Sequence, residues 1–307
     1  MSREAGSIAF IGDRTTTTTL AVAVAWNGTD RNWTPWNRTP RNRTTDGETA
    51  QDAPRAPLVV EVDPAGGSLA AWLDMSTNPS LSTVVAQGGA LHRDDLEPLI
   101  RTSPRGLQII PAPVRSREAN RAVDEASHGL LQTLADDVHR TALLDVGRLV
   151  PSSGVPSTVH GASAIVLCHR QEPASARAAA VRLERLAESV ELLAHLDRPL
   201  TIVLIGDQPY GGHEIIDYLL GDESRIATAI AIPRLIPLPD DPLCAAVLAG
   251  RVGVSTRRLG RLPLMRAARA LAAHLRANLR TAELGEPTTT AHSSGPNATF
   301  PIDGSDA

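Results

Sequence analysis

Apolar and polar positions along the chain fall into two recurring kinds of segment. Short, almost continuously apolar runs stand at 7–12 (SIAFIG), 58–63 (LVVEVD), 107–113 (LQIIPAP), 142–147 (ALLDVG), 164–169 (AIVLCH) and 201–206 (TIVLIG), with a further candidate at 226–233. Runs that are apolar throughout, rather than alternating, predict strands covered on both faces. Between them lie segments with helical spacing at 20–26, 116–137 and 174–196. In the last, Val181, Leu183, Leu186, Val190, Leu193 and Leu196 recur with charges between them. Strand and helix in alternation predict a doubly wound α/β fold, with a mainly parallel sheet flanked by helices.

A final amphipathic helix is predicted at 262–280, where Leu264, Met265, Ala268, Leu271, Ala272, Leu275 and Leu279 form one stripe beside four arginines. Packing on the sheet is the expected use of that stripe, and contact with a membrane surface the less favoured one.

Two segments interrupt the pattern. Residues 27–57 are poor in aliphatics, and N-x-T recurs there at Asn27, Asn32, Asn37 and Asn42, a strict five-residue step. A period of five is too short for a solenoid unit, so the segment reads as a low-complexity, disordered insertion. The tail 284–307 has no periodicity and also reads as disordered. The expected division is therefore one domain over 1–283, carrying the insertion, followed by the tail.

Composition narrows the chemistry. Of 307 residues, 34 are acidic and 30 basic, and every basic residue is arginine: the chain has no lysine. Schiff-base chemistry and the phosphate-binding lysine of an ordinary P-loop are thereby excluded. A net charge of −4 gives no strong nucleic-acid signal. Cys168 and Cys244 cannot build a disulfide framework, and the nine histidines show no paired metal-ligand spacing. The start MSREAGSIAFIGDR lacks the long apolar run of a secretory signal, and no stretch reaches about 18 uncharged apolar residues. The expectation is a cytoplasmic protein.

Four motifs carry candidate chemistry. Gly12-Asp13-Arg14 and the five threonines Thr15–Thr19 lie directly between a strand and a helix. Such a junction gathers backbone N–H groups at one point and suits an anion, though hydroxyls capping a helix start read equally well. Glu61-Val62-Asp63-Pro64-Ala65-Gly66-Gly67 ends a strand and sets carboxylates where α/β proteins bind ligands; a plain Asp-Pro turn is the alternative. Asp145-Val146-Gly147 puts an aspartate at the end of a buried strand. Pro239-Asp240-Asp241 precedes a helix.

In order and spacing these motifs resemble the ParA/MinD group of P-loop ATPases, in its divergent MinD-like actinobacterial members. The resemblance runs from about residue 7 to 280. It aligns the P-loop with 12–19, the D-x-D-P-x-G motif with 61–67, the Walker B strand with 145–147, the base-recognition strand with 202–209 and the I-P-x-D loop with 239–241. It implies a P-loop NTPase-like fold, ATP and Mg²⁺ as ligands, and phosphate contacts from Gly12, Arg14, Thr15, Thr16, Thr17 and Thr18. It further implies base contacts at Asp207 and Pro239, metal ligation by Thr17 and Asp145, and handling of metal and water by Asp63 and Asp145. The work implied is intracellular positioning: chromosome partitioning, septum placement or assembly of a surface apparatus. A protein partner or a second copy of the chain is expected.

Departures from the pattern are concentrated in the loop. Ile11 stands for the signature lysine, Asp13 and Thr15 for two glycines, and Thr16 for the P-loop lysine; Gly206-Asp207 replaces the usual asparagine. Phosphoryl transfer is carried by positioning and electrostatics, so losing both lysines predicts a degenerate site with weak or absent ATPase activity. The alternatives are a working, dimerising ATPase and a scaffold that never meets nucleotide.

Overall fold

The computed structural model describes residues 6–26, 56–86, 96–103, 106–137, 139–171, 174–206, 209–220 and 234–283. Nearly all of the 27–57 insertion, the candidate strand 226–233, Asp207 and the tail lie outside the described residues.

Six of the apolar runs become strands of a single eight-stranded sheet. Its strands are Gly6–Gly12 (β1), Leu58–Glu61 (β2), Arg101–Thr102 (β3), Gln108–Ile110 (β4), Thr141–Gly147 (β5), Ala164–Arg170 (β6), Leu200–Ile205 (β7) and Arg234–Leu238 (β8). The spatial order is β3-β4-β2-β5-β1-β6-β7-β8. Every pairing is parallel except the antiparallel edge β3–β4. The predicted α/β class is the one observed. The two edge strands have no counterpart among the predicted runs: β3 is two residues, one half-buried and one exposed, and β8, which follows the candidate 226–233, mixes exposed and buried positions, with Arg234 and Pro237 exposed.

Both faces are covered, which is why the strands are apolar throughout. One face presents Ile8, Phe10, Leu143, Val166 and Val203 to the helices Thr15–Trp26 (α1) and Pro263–Glu283. The other presents Ala9, Ile11, Leu144, Ile165 and Ile202 to a second helical layer. That layer includes Ser116–His128 (α2), Leu130–Asp136 (α3), Ala176–Ala194 (α4) and Gly212–Leu220 (α5). Pro242–Leu248 (α6) joins the first layer, and Pro263–Glu283 is α7.

The helix predicted at 116–137 divides at Gly129, whose φ of −130° leaves the helical region. α1 begins five residues earlier than its apolar run, at Thr15. Thr18 bonds its hydroxyl back to the Arg14 carbonyl at 3.1 Å, so threonine satisfies the first turn. From Thr18 to Trp26 every residue of α1 is buried, the signature of a helix wedged between sheet and a second helix. The apolar stripe of α7 is that second surface: all seven stripe residues are buried, against α1 and β8. The stripe is therefore occupied inside the fold. Among the described residues, no helix is long and apolar enough to cross a membrane.

Candidate functional site

The first strand, β1, lies between β5 and β6, with β2 to β5 laid down on one side of it and β6 to β8 on the other. In open α/β sheets such a switch point opens a crevice at the C-terminal strand ends. The loop leaving β1 sits there. Gly12 has φ +115°, and a Cβ at this position would stand 2.2 Å from the Cys168 carbonyl oxygen. Only glycine fits so close an approach to β6. The next amide, Asp13 N–H, donates to the same carbonyl at 2.8 Å. Arg14 takes φ +56°, and α1 begins one residue later.

On the β5 side, the Thr16 hydroxyl donates to Asp145 Oδ2 at 2.7 Å. Asp145 is only 2% exposed, and its Oδ1 meets no donor in hydrogen-bond geometry. Burial pushes its pKa up, opposed by the hydroxyls of Thr16 and Thr15, while nearby Asp63 adds to the rise. The residue that reaches Asp145 is thus Thr16. Thr17, one position later, lines the cleft without a bond to Asp145. Asp63 accepts the Ala65 N–H at 2.8 Å and so closes the Asp-Pro turn. Its carboxylate lies against Gly147, where a Cβ would meet Asp63 Oδ2 at 2.2 Å. Burial raises the Asp63 pKa, against the pull of Arg148.

Glu61 behaves differently from its neighbour in the motif. It is 2% exposed and accepts N–H bonds from Ser68 (2.7 Å), Leu69 (2.9 Å) and Ala112 (3.0 Å). Both oxygens are turned to backbone, so Glu61 is a latch beneath the site. Burial pushes its pKa up to about 7, although the three N–H groups oppose the rise.

On the β6 side the charges pair among themselves. Asp13 Oδ2 accepts from the Arg170 backbone N–H (3.1 Å) and from Arg182 Nη1 (3.2 Å). Asp240 pairs with Arg170 at 3.3 Å and with Arg14 at 3.8 Å. His169, buried next to Asp13 and Arg182, is held neutral as burial lowers its pKa to about 4.

These groups border a cleft of about 1110 Å³. Gly12, Arg14, Thr15, Thr16, Thr17 and Asp63 all line it. Thr18 and Pro239 line an adjoining cavity of about 240 Å³, reached past Arg14 and Trp72, which border both spaces. Asp145 stands behind Thr16, and Asp207 is outside the described residues. Arg170, Arg182 and Trp72 were not among the sequence candidates. Arg170 carries a weak signal, as the charged end of a buried strand; Arg182 and Trp72 lie on helices and belong to no motif.

As ligands, Mg²⁺ and a triphosphate fit this site unequally. The unpartnered, buried Asp145 Oδ1 beside the Thr16 hydroxyl suits a hydrated cation. Among the described residues, no group of three or more His, Cys, Asp or Glu could hold a metal by itself. Toward a triphosphate the loop offers no ammonium group and presents the Asp13 carboxylate, paired with Arg182.

Solved structures similar to the whole domain include a ParA family ATPase from Chlorobium tepidum, with TM-score 0.57 and 13% identity over 88% of this chain and 98% of that one. The cell division ATPase MinD of Pyrococcus furiosus aligns with TM-score 0.58 and 14% identity, over 90% and 99%. The fold is MinD/ParA-like. MinD of Aquifex aeolicus aligns over 89% of this chain and 97% of its own at TM-score 0.51. No protein-family profile matches the chain, and no curated protein sequence matches it. In this MinD/ParA-like fold the loop after β1 stands at the switch point of the sheet, and the cleft opens beside it.

Proposed function

We propose that the chain is a partner-binding, positioning component with a MinD/ParA-like fold, in which the cleft beside β1 binds anions but does not turn over ATP. The observation that carries this reading is the charge state of the loop. It has no lysine, and its own charges, Asp13 and Arg14, are engaged by Arg182 and Asp240. Arginine cannot substitute geometrically for the compact ammonium of a P-loop lysine. The similar structures include a cell division ATPase, and a cytoplasmic role in partitioning or septum placement, with a protein partner or a second copy, is the counterpart for this chain.

A working ATPase is the second reading, favoured by one observation: Thr16, Asp145 and the unpartnered Oδ1 form the acceptor side of a cation site. Steady-state turnover separates the two. Purified protein with ATP and Mg²⁺ is expected to hydrolyse at background. Turnover on the order of 1 s⁻¹, abolished by Asp145→Ala, would establish the ATPase instead.

A further inference from the structure

Three arginines and two aspartates lie together beside the loop after β1: Arg182, Asp13, Arg170, Asp240 and Arg14. Arg182 and the Arg170 N–H share one oxygen of Asp13, at 3.2 and 3.1 Å. The Arg170 and Arg14 guanidinium groups share one oxygen of Asp240, at 3.3 and 3.8 Å. Three arginines are thus held by two carboxylates, a surplus of one positive charge at the rim of the cleft. The two acids come from different loops, one after β1 and one after β8. Asp240 lies between two guanidinium groups, and Asp13 between the Arg182 guanidinium and the Arg170 backbone N–H, each in a place an oxyanion could take.

We propose that Arg14, Arg170 and Arg182 form a polyanion site which Asp13 and Asp240 fill as internal substitutes, and that a small ligand carrying two or more linked oxyanions displaces them. This rests on the preceding reading only in taking the cleft as an anion-binding site. The pairs are displaceable because they are partly exposed: side-chain exposure is 52% and 29% for Arg14 and Asp240, and 27% and 25% for Arg182 and Asp13. Ion pairs of that exposure hold weakly. One orthophosphate can replace one carboxylate. A diphosphate can engage several guanidinium groups at once, with the planar, two-pronged geometry arginine offers to phosphate oxygens. The cleft, at about 1110 Å³, admits a small molecule of this class.

Pyrophosphate and orthophosphate, titrated calorimetrically into the full chain at matched ionic strength, test the proposal. Asp13→Asn/Asp240→Asn keeps side-chain size while removing the internal anions, and is expected to bind pyrophosphate at least about tenfold more tightly than wild type. Orthophosphate should gain less, and Arg170→Ala/Arg182→Ala should lose pyrophosphate binding. Equal affinity in the Asn variant and wild type, or unimpaired binding by the alanine variant, overturns the proposal. Should the Asn variant not fold, the wild type decides: saturating pyrophosphate must move the Arg170 amide resonance, because Asp13 leaves it, and an unmoved resonance refutes displacement. ATP turnover by wild type would sink the hydrolysis-free reading without touching this one.

Discussion

At the scale of single residues, the site is organised by which hydroxyl reaches the buried aspartate. Helix spacing alone cannot decide this among five consecutive threonines, because each is the same donor; only the turn made by Gly12 and Arg14 fixes which one faces β5. Thr16 makes the 2.7 Å bond, with the Thr15 hydroxyl contributing beside it. Thr16→Val is expected to leave Asp145 without its 2.7 Å donor inside the fold, costing about 1–3 kcal/mol in urea unfolding. Thr17→Val, whose hydroxyl borders the cleft, should stay within about 0.5 kcal/mol. Equal losses in the two variants would show that Asp145 draws on both hydroxyls. Arg182 was invisible and Arg170 only weakly marked for a related reason: an arginine on a helix or strand end is ordinary until tertiary structure sets it against Asp13.

At the scale of elements, the segment following β2 is fastened by Glu61, which joins the end of its own strand to Ser68 and Leu69 and, across the sheet, to Ala112 after β4. Its proton is held more tightly in the folded state, with a pKa of about 7 against an ordinary 4.5. Between those values the folded chain binds more protons than the unfolded one, so Glu61 lowers stability as pH rises from about 4.5 to 7, and has no further effect above. The size of that loss is on the order of 3 kcal/mol. Glu61→Gln keeps an acceptor for Ser68 and Leu69 but turns an amide toward the Ala112 N–H. It should therefore be less stable by about 1–3 kcal/mol, while losing less stability than wild type between pH 5 and pH 8. A variant whose pH dependence parallels wild type would show that other carboxylates carry the slope. The motif spelling E-V-D-P marks both acids alike. Strand alternation would set both on one face; they part because β2 ends at Glu61, which keeps that carboxylate inside and leaves Asp63 at the turn.

At the scale of the whole molecule, the alternation of strand and helix was legible because both sheet faces are covered, so nearly every strand reads as an apolar run. The loop position and the two strand-end acids were legible from spacing. The ring of arginines was not, since its members are joined only by the fold. The insertion is the remaining whole-chain question, and the fixed points on either side of it bear on the answer. α1 ends at Trp26, buried, with the Arg276 guanidinium 5.0 Å from its ring centroid. β2 begins at Leu58, fully buried and paired to both β4 and β5. Both ends are thus anchored by residues outside 27–55. β1 and β2 each run parallel to β5, and α1 returns from the end of β1 toward the edge where β2 starts. The segment thus closes a single crossover between parallel strands, over a helix that already packs on β1, β5 and β2. Closing that crossover depends only slowly on loop length, and the segment's Asn, Thr and Arg bring little apolar surface to offset their own ordering. Replacing residues 28–55 with a Gly/Ser linker of about 12 residues is expected to leave the melting temperature within about 5 °C, a shift corresponding to roughly 1 kcal/mol or less. A larger fall, or insoluble protein, would mean that the N-x-T segment contributes contacts on which the domain depends.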